Sequence, residues 1–272
     1  MTFVPDARVS ALNDAGLRGD GDFVLYWMVT QRRLEWNYAL DQAVGYARKL
    51  GLPLVILEAL RVGYRWSSPR HHRFALDGMR EHRQRLADGP VMYLAYVEPE
   101  EGAGKGLLET LASRAAVIVT DDYPVFFLPR MQRAAGRALE VRLERVDSNG
   151  LLPMRSAERT FFAAQHFRRH LHKTLPALFG ESPEAAPFDG GLPQGPAPLP
   201  DGLLDRWPMA SPDLLAGDPG LLGGLPLEYD VAPTRAGGGR AAALERLDHF
   251  LTNHLDDYGE GRNHPDDGGA SG

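Results

Sequence analysis

The sequence predicts an α/β domain built on a five-stranded parallel sheet with flanking helices. Three observations carry this. Five short apolar runs, rich in β-branched and aromatic residues, recur along the first half of the chain, and each has the length of a strand buried on both faces. Segments of helical periodicity separate them in strict alternation, which makes crossover connections and parallel pairing the economical arrangement. A hydrophobic content of 43% in 272 residues is enough for a sizeable core.

Residues 1–22 read as an N-terminal extension. The strands follow at Phe23–Val29, Pro53–Leu60, Val91–Val97, Ala116–Thr120 and Val141–Val146. Between them, helical spacing covers Glu35–Leu50, Pro69–Leu86, Gly104–Arg114 and Phe127–Leu139. A last helix is predicted over Ala157–Leu175, with Phe161, Phe162, Phe167, Leu171 and Leu175 on one apolar stripe and Pro176 as its stop. The α/β domain therefore occupies residues 23–180.

From Glu181 to Arg240 the composition shifts, with 11 of the 21 prolines and 11 of the 30 glycines in that window. Such a stretch reads as an interdomain connector without long regular elements, ordered in part by Leu203, Leu204 and Trp207. After Gly237, Gly238 and Gly239, helical spacing resumes at Ala243, Leu244, Leu247, Phe250, Leu251 and Leu255. One helix cannot bury its apolar stripe alone. Residues 241–272 are thus expected to open a second, helical domain that the sequence does not complete.

The charge balance, 30 basic against 36 acidic side chains for a formal −6, excludes attachment to nucleic acid by bulk charge. The absence of cysteine removes disulfides, thiolate metal sites and cysteine nucleophiles, and suits a reducing, cytoplasmic setting. The opening MTFVPDARVSALNDAG carries two acids and no long apolar run, and no membrane-spanning stretch follows.

Few motifs point to chemistry on their own. The cluster GAGKG at Gly102–Gly106 lacks the spacing of a nucleotide-phosphate loop and follows the third strand, so it reads as the loop that starts a helix. His166, His170 and His172 lie among Arg168, Arg169 and Lys173; the mixture suits a solvated basic face, with phosphate contact as the functional alternative. His71 and His72, beside Arg70 and Arg73 at a helix start, are expected at the surface. No G-x-S-x-G elbow is present. Ligands of open parallel sheets bind beyond the carboxyl ends of strands, which singles out Asp121, Asp122 and Tyr123 after the fourth strand. Arg32, Arg33, Trp36 and Asn37 after the first strand and Glu58 on the second share that edge. A capping role for these aspartates stands beside the ligand reading.

Several segments together resemble the DNA photolyase and cryptochrome family, most closely its class II cyclobutane pyrimidine dimer photolyases. They are VLYWMVTQRRLEWNYALDQAVGYARKLGLPLVIL, VIVTDDYPVFFLPR, VDSNGLLP, the arginine-rich helix before LHKTLP, and GGGRAAALERLDHFLTNHLDDYGEGRNHPDDGGAS with its Y-x-x-x-R-N-x-P signature. Their order and spacing run from Phe23 to Ser271. The sequence departs from the family at Ala270, where many members carry Thr, and at Gly272, where Arg or Lys is usual.

The resemblance implies a Rossmann-like antenna domain, a linker and the first part of an all-α FAD-binding domain. It implies light-dependent repair of UV-damaged DNA by electron transfer from reduced FAD, with a deazaflavin or folate antenna as the family's usual second chromophore. By motif match Tyr258 and Ser271 would bind FAD, and Arg262 and Asn263 would meet the lesion. Asp121, Asp122, Tyr123, Arg33 and Asn37 become antenna or domain-lip positions. No catalytic side chain and no metal is implied. The residues alone also suit a helix end here, with Gly259 and Gly261 breaking the helix and Arg262 complementing its dipole. The complete protein is expected to be a monomer without an obligate protein partner, and the 272-residue chain to retain little FAD and no repair activity. The rival readings are a cryptochrome-type light receptor and a stand-alone nucleotide-binding α/β domain.

Overall fold

The computed structural model describes residues 2–157 and 159–263. The chain divides into two compact units, one of residues 1–61 and 82–210, the other of residues 62–81 and 211–272.

The first unit is built on a six-stranded sheet. Its strands are β1 (Val9–Ala11), β2 (Phe23–Met28), β3 (Leu54–Leu60), β4 (Met92–Val97), β5 (Ala115–Asp121) and β6 (Leu143–Val146), in the spatial order β1-β6-β5-β2-β3-β4. β2 through β6 pair in parallel, as the alternation of strands and helices predicts. The sixth strand corrects the expected count of five. β1 lies antiparallel to β6, with Val9 opposite Val146 and Ala11 opposite Glu144. Three residues reading Val-Ser-Ala carry no periodic signal, so the edge strand is invisible in the sequence. It draws part of the N-terminal extension into the sheet, and Arg8 beside it is buried, donating to the carbonyls of Asp147 (3.2 Å) and Leu151 (2.7 Å) with its guanidinium 4.4 Å from the Tyr38 ring.

The sheet is covered on both faces. All six residues of β2 and all seven of β5 are buried. Alternate side chains separate into two cores, Val24, Tyr26 and Met28 in one and Phe23, Leu25 and Trp27 in the other, as the two-residue period of a strand requires. The helix α1 (Tyr38–Leu50) packs on the first core through Ala39, Leu40, Ala43 and Ala47. It starts three residues later than its apolar spacing suggests, because the Asn37 side chain accepts from the backbone N–H groups of Ala39 and Leu40 and so caps it. Gly51, at φ 68°, ends it in the left-handed conformation that glycine adopts freely.

The helix α2 (Pro69–Leu86) begins in the second unit and ends in the first. α3 (Leu107–Ala112) precedes β5, and α4 (Leu128–Ala138) precedes β6. The predicted helix over Ala157–Leu175 is shorter, α5 (Ala164–Thr174) followed by a 3-10 turn Leu175–Ala177, and it buries no residue, so the expected apolar stripe is not packed. Phe162, at 98% exposure, lies in the loop before it.

In the Pro/Gly-rich stretch, the first unit includes Leu192, Ala197, Leu203 and Trp207 as buried side chains of its two cores. The regular pieces there are short: α6 (Leu203–Arg206), α7 (Pro212–Leu215) and α8 (Pro219–Gly223). The second unit also holds α9 (Arg240–Asn253) and α10 (Tyr258–Gly261). His72 is fully buried there, with Nδ1 3.1 Å from the Ser68 carbonyl and its ring stacked on Tyr64. This corrects the surface position expected from its basic neighbours, since a histidine between Pro69 and Phe74 follows the helix face and not its neighbours' charge.

Candidate functional site at the carboxyl edge of the sheet

The strand order reverses between β2 and β5, the place where open parallel sheets leave a ligand crevice. Here the crevice holds a side chain of the protein. Asp121, at the end of β5, is fully buried, and its Oδ2 accepts the backbone N–H groups of Val29 (2.8 Å), Thr30 (2.7 Å) and Gln31 (3.0 Å). Its Oδ1 accepts from Tyr26 Oη at 2.7 Å. Burial pushes the Asp121 carboxyl above the usual range, and these four donors oppose the shift. Burial, joined by the Asp121 charge, pushes the Tyr26 hydroxyl well up, so the phenol keeps its proton and donates.

Asn37 completes the arrangement. Its Nδ2 donates to Tyr26 Oη (2.9 Å) and to the carbonyls of Gln31 (3.1 Å) and Arg33 (3.2 Å), while Oδ1 caps α1 and accepts from Ser148 Oγ (3.2 Å). Asp122 is buried as well, taking Arg155 through Nε at 3.0 Å and Nη2 at 2.7 Å. The edge thus brings together Asp121, Asn37 and the loop carrying Arg33, but the buried carboxylates and the amide point inward. Exposed or half-buried, Arg33, Tyr123 and Trp36 remain on the outer side. Trp36 (φ 52°) and Phe126 (φ 66°) sit in left-handed backbone conformations rare for such residues, and strain of this kind collects at functional edges.

A second cluster surrounds Glu58 on β3. Its carboxylate is buried and takes Arg32 Nη1 at 2.9 Å, His82 Nδ1 at 2.8 Å and Tyr93 Oη at 2.6 Å. Burial pushes Glu58 up, but the His82 hydrogen bond, the Arg32 charge and the Tyr93 hydroxyl together outweigh it and hold the carboxyl below its ordinary value. Glu58 was legible as an edge residue; its partners, 24 and 35 residues downstream, were not.

The glycine cluster has its own anion. The backbone N–H groups of Gly102 (3.0 Å) and Gly104 (3.3 Å) donate to Glu98 Oε1, and Gly106, at φ 92°, leads into α3. The helix-starting loop is what the structure contains. Among the described residues no group of three His, Cys, Asp or Glu side chains is placed to hold a metal. His166 and His170 instead line a cleft of about 750 Å³ with Arg159, Arg169, Lys173 and Phe162.

In the second unit, Tyr258 opens α10, half-buried, with its ring edge-on to Phe250 at 5.5 Å. Arg262 closes that turn through its backbone N–H to the Tyr258 carbonyl (3.0 Å), and the side chains of Arg262 and Asn263 are exposed. These three residues are brought to one short turn, with a phenol, a guanidinium and an amide that make no side-chain hydrogen bond among the described residues. Ser271, with Ala270 and Gly272, lies outside the described residues.

No family model matches the chain. Similar curated proteins are the deoxyribodipyrimidine photo-lyase of Methanothermobacter thermautotrophicus, 26% identical over 95% of this chain and 53% of the relative, and that of Arabidopsis thaliana, 24% identical over 89% and 47%. The enzyme of the same name from Potorous tridactylus is 24% identical over 93% of this chain and 44% of its own. The chain therefore spans about half the length of the curated relatives it matches. Among solved structures, a bacterial class III photolyase from Agrobacterium tumefaciens shares the fold, with a TM-score of 0.55 at 16% identity over 90% of this chain and 48% of that one. The alignment runs through nearly the whole chain in three deoxyribodipyrimidine photo-lyases, and a further photolyase shares the fold.

Proposed function

We propose that this chain serves the light-dependent repair of cyclobutane pyrimidine dimers in DNA, as the α/β part and the opening helical part of a deoxyribodipyrimidine photolyase. One observation carries the reading: three relatives matched over 89% or more of the chain all bear that activity in their names. The lack of a G-x-S-x-G elbow in the sequence accords with it, since photochemistry needs no nucleophile.

Tyr258, Arg262 and Asn263 fit FAD in their donor chemistry. A phenol held by Phe250 can face a flavin or its phosphates, and an exposed guanidinium can meet a phosphate or a pyrimidine carbonyl with forked hydrogen bonds. By motif match Ser271 would add a hydroxyl. The chemistry that reduced FAD would supply when bound is one-electron transfer. What the chain contributes is orientation, and charge at Arg262 beside a flipped-out lesion. At the sheet edge, Arg33 and Tyr123 are the positions open to an antenna chromophore, a deazaflavin or a folate. Asp121, Asp122 and Asn37 would shape that lip from beneath.

No helix among the described residues is long and apolar enough to cross a membrane. We place the protein in the cytoplasm as a monomer, in keeping with a cysteine-free chain. The test is dimer content in an irradiated oligothymidylate incubated with the gene product that carries this chain, FAD and a reductant. Loss of dimers under near-UV or blue light and not in the dark is expected. Unchanged dimer content under light, with flavin bound, would overturn repair in favour of a light receptor.

A further inference from the structure

The cleft beside α5 is a large concave surface of the first unit that the preceding reading leaves unused. Its volume is about 750 Å³, and it lies between residues 156, 157 and 159–162 and one face of α5. The helix presents His166, Arg169, His170 and Lys173 at spacings of three and four, which places them on a single stripe. Arg159 adds a cation from the loop. Between Ser156 and Lys173 the sequence has four Arg or Lys and one acid, Glu158, in a chain of formal charge −6. Among the described residues none of Arg159, Arg169 and Lys173 forms an ion pair.

Two further features narrow the ligand. His170 Nε2 is buried in the cleft wall and has no hydrogen-bond partner among the described residues. Aromatic surface is also on offer: Phe161 is held by ring contacts to Phe167 (5.4 Å) and His170 (5.1 Å), whereas Phe162 is 98% exposed at the rim. An exposed phenylalanine beside cations that form no ion pair among the described residues suits a ligand that carries both planar rings and repeated negative charge. A lone inorganic anion has no use for the ring, and a duplex presents no free base face to it.

We propose that this cleft binds single-stranded nucleic acid, with phosphates on Arg159, Arg169 and Lys173 and an unpaired base stacked on Phe162. The site does not depend on flavin or on a lesion. Binding is therefore measured in the dark on undamaged strands, so its failure and the failure of the repair reading are separate results.

The experiment is fluorescence anisotropy of the 272-residue chain with a labelled oligothymidylate of about 15 nucleotides, across about 50 to 200 mM salt. The double variant Arg169→Ala/Lys173→Ala should lower the slope of log affinity on log salt by about 1.4, since each lost single-strand phosphate contact removes about 0.7. Phe162→Ala should weaken binding about 5- to 150-fold with the slope unchanged. All three side chains are exposed, so thermal unfolding serves as the folding control. The strand annealed to its complement should bind more weakly. An unchanged slope in the double variant overturns the phosphate assignment; full affinity in Phe162→Ala, or equal affinity for the duplex, overturns the single-strand assignment.

Discussion

Tyr26 on β2 donates its hydroxyl proton to Asp121 on β5 at 2.7 Å, and this bond crosses the sheet where the strand order reverses. The same carboxylate takes three successive backbone N–H groups after β2. The crevice that a ligand fills in many parallel sheets is therefore closed by the protein's own anion, and any ligand at this edge must lie above it.

Asp121→Asn is accordingly expected to destabilise the first unit by about 3 kcal/mol, because the amide nitrogen would face the Tyr26 hydroxyl donor to donor and the three backbone N–H groups would lose a charged acceptor. Tyr26→Phe should lose about 1 kcal/mol, as Asn37 retains two carbonyl acceptors. Urea unfolding measures both. A side chain serving only to read a ligand predicts unchanged stability in either variant.

Glu58 gives a pH-dependent counterpart. Its folded carboxyl lies below the ordinary glutamate value of 4.5. The stabilisation is thus complete above about pH 4.5 and is lost as acidity carries the folded group through its own, lower value. Glu58→Gln should weaken the protein by about 2 to 4 kcal/mol at neutral pH, since Arg32 and His82 lose their carboxylate. It should also flatten the acid limb of stability against pH. Wild type and variant falling in parallel below pH 4.5 would contradict this origin.

How much was legible follows from where each signal resides. β2 and β5 announce themselves as FVLYWM and AAVIVTD because they are buried on both faces, so their positions can be read without knowing their neighbours. β1 cannot, since Val9–Ala11 gains its structure only by pairing with residues 144–146. The edge positions Asp121 and Asn37 were visible from strand ends, but the direction of their side chains depends on Val29–Gln31 and Ser148. The basic stripe of α5 was plain in the sequence, whereas its cleft needs Arg159, Thr160, Phe161 and Phe162 placed against it.

Gly136 tests the packing of the N-terminal segment. It lies within α4, where alanine would ordinarily add about 1 kcal/mol of helix stability. A Cβ there would meet the Leu12 carbonyl oxygen at an impossible 2.4 Å. The clash is with backbone that is itself bonded, Leu12 N–H to the Leu143 carbonyl at 2.8 Å, so it cannot be relieved by a rotamer change. Gly136→Ala should therefore lower stability by about 1 to 2 kcal/mol, or the midpoint of thermal unfolding by about 2 to 8 °C. A rise in that midpoint would show the residues before β2 to be dispensable.

The last case reverses the sign found at Glu58. Asp41, in the first turn of α1, accepts the backbone N–H of Glu184 at 3.0 Å through Oδ2, while its Oδ1 is buried without a partner. Burial raises its carboxyl to about 6; the Glu184 N–H opposes the rise, the Glu184 charge adds to it, and Arg48 offsets part. The folded state then holds a proton that the unfolded chain has already released, so stability falls as pH rises from about 4 to about 6 and stays lower above that. The carboxyl is partly solvated, so screening limits the loss to about 1 to 2 kcal/mol. Asp41→Asn keeps the shape and removes the charge. It should match wild type at pH 4 and exceed it by about 1 to 2 kcal/mol at pH 7, in denaturant midpoints measured at both values. If instead the negative charge at the start of α1 outweighs its burial, through the helix dipole, the variant will be the weaker protein at pH 7 and equal to wild type only in acid.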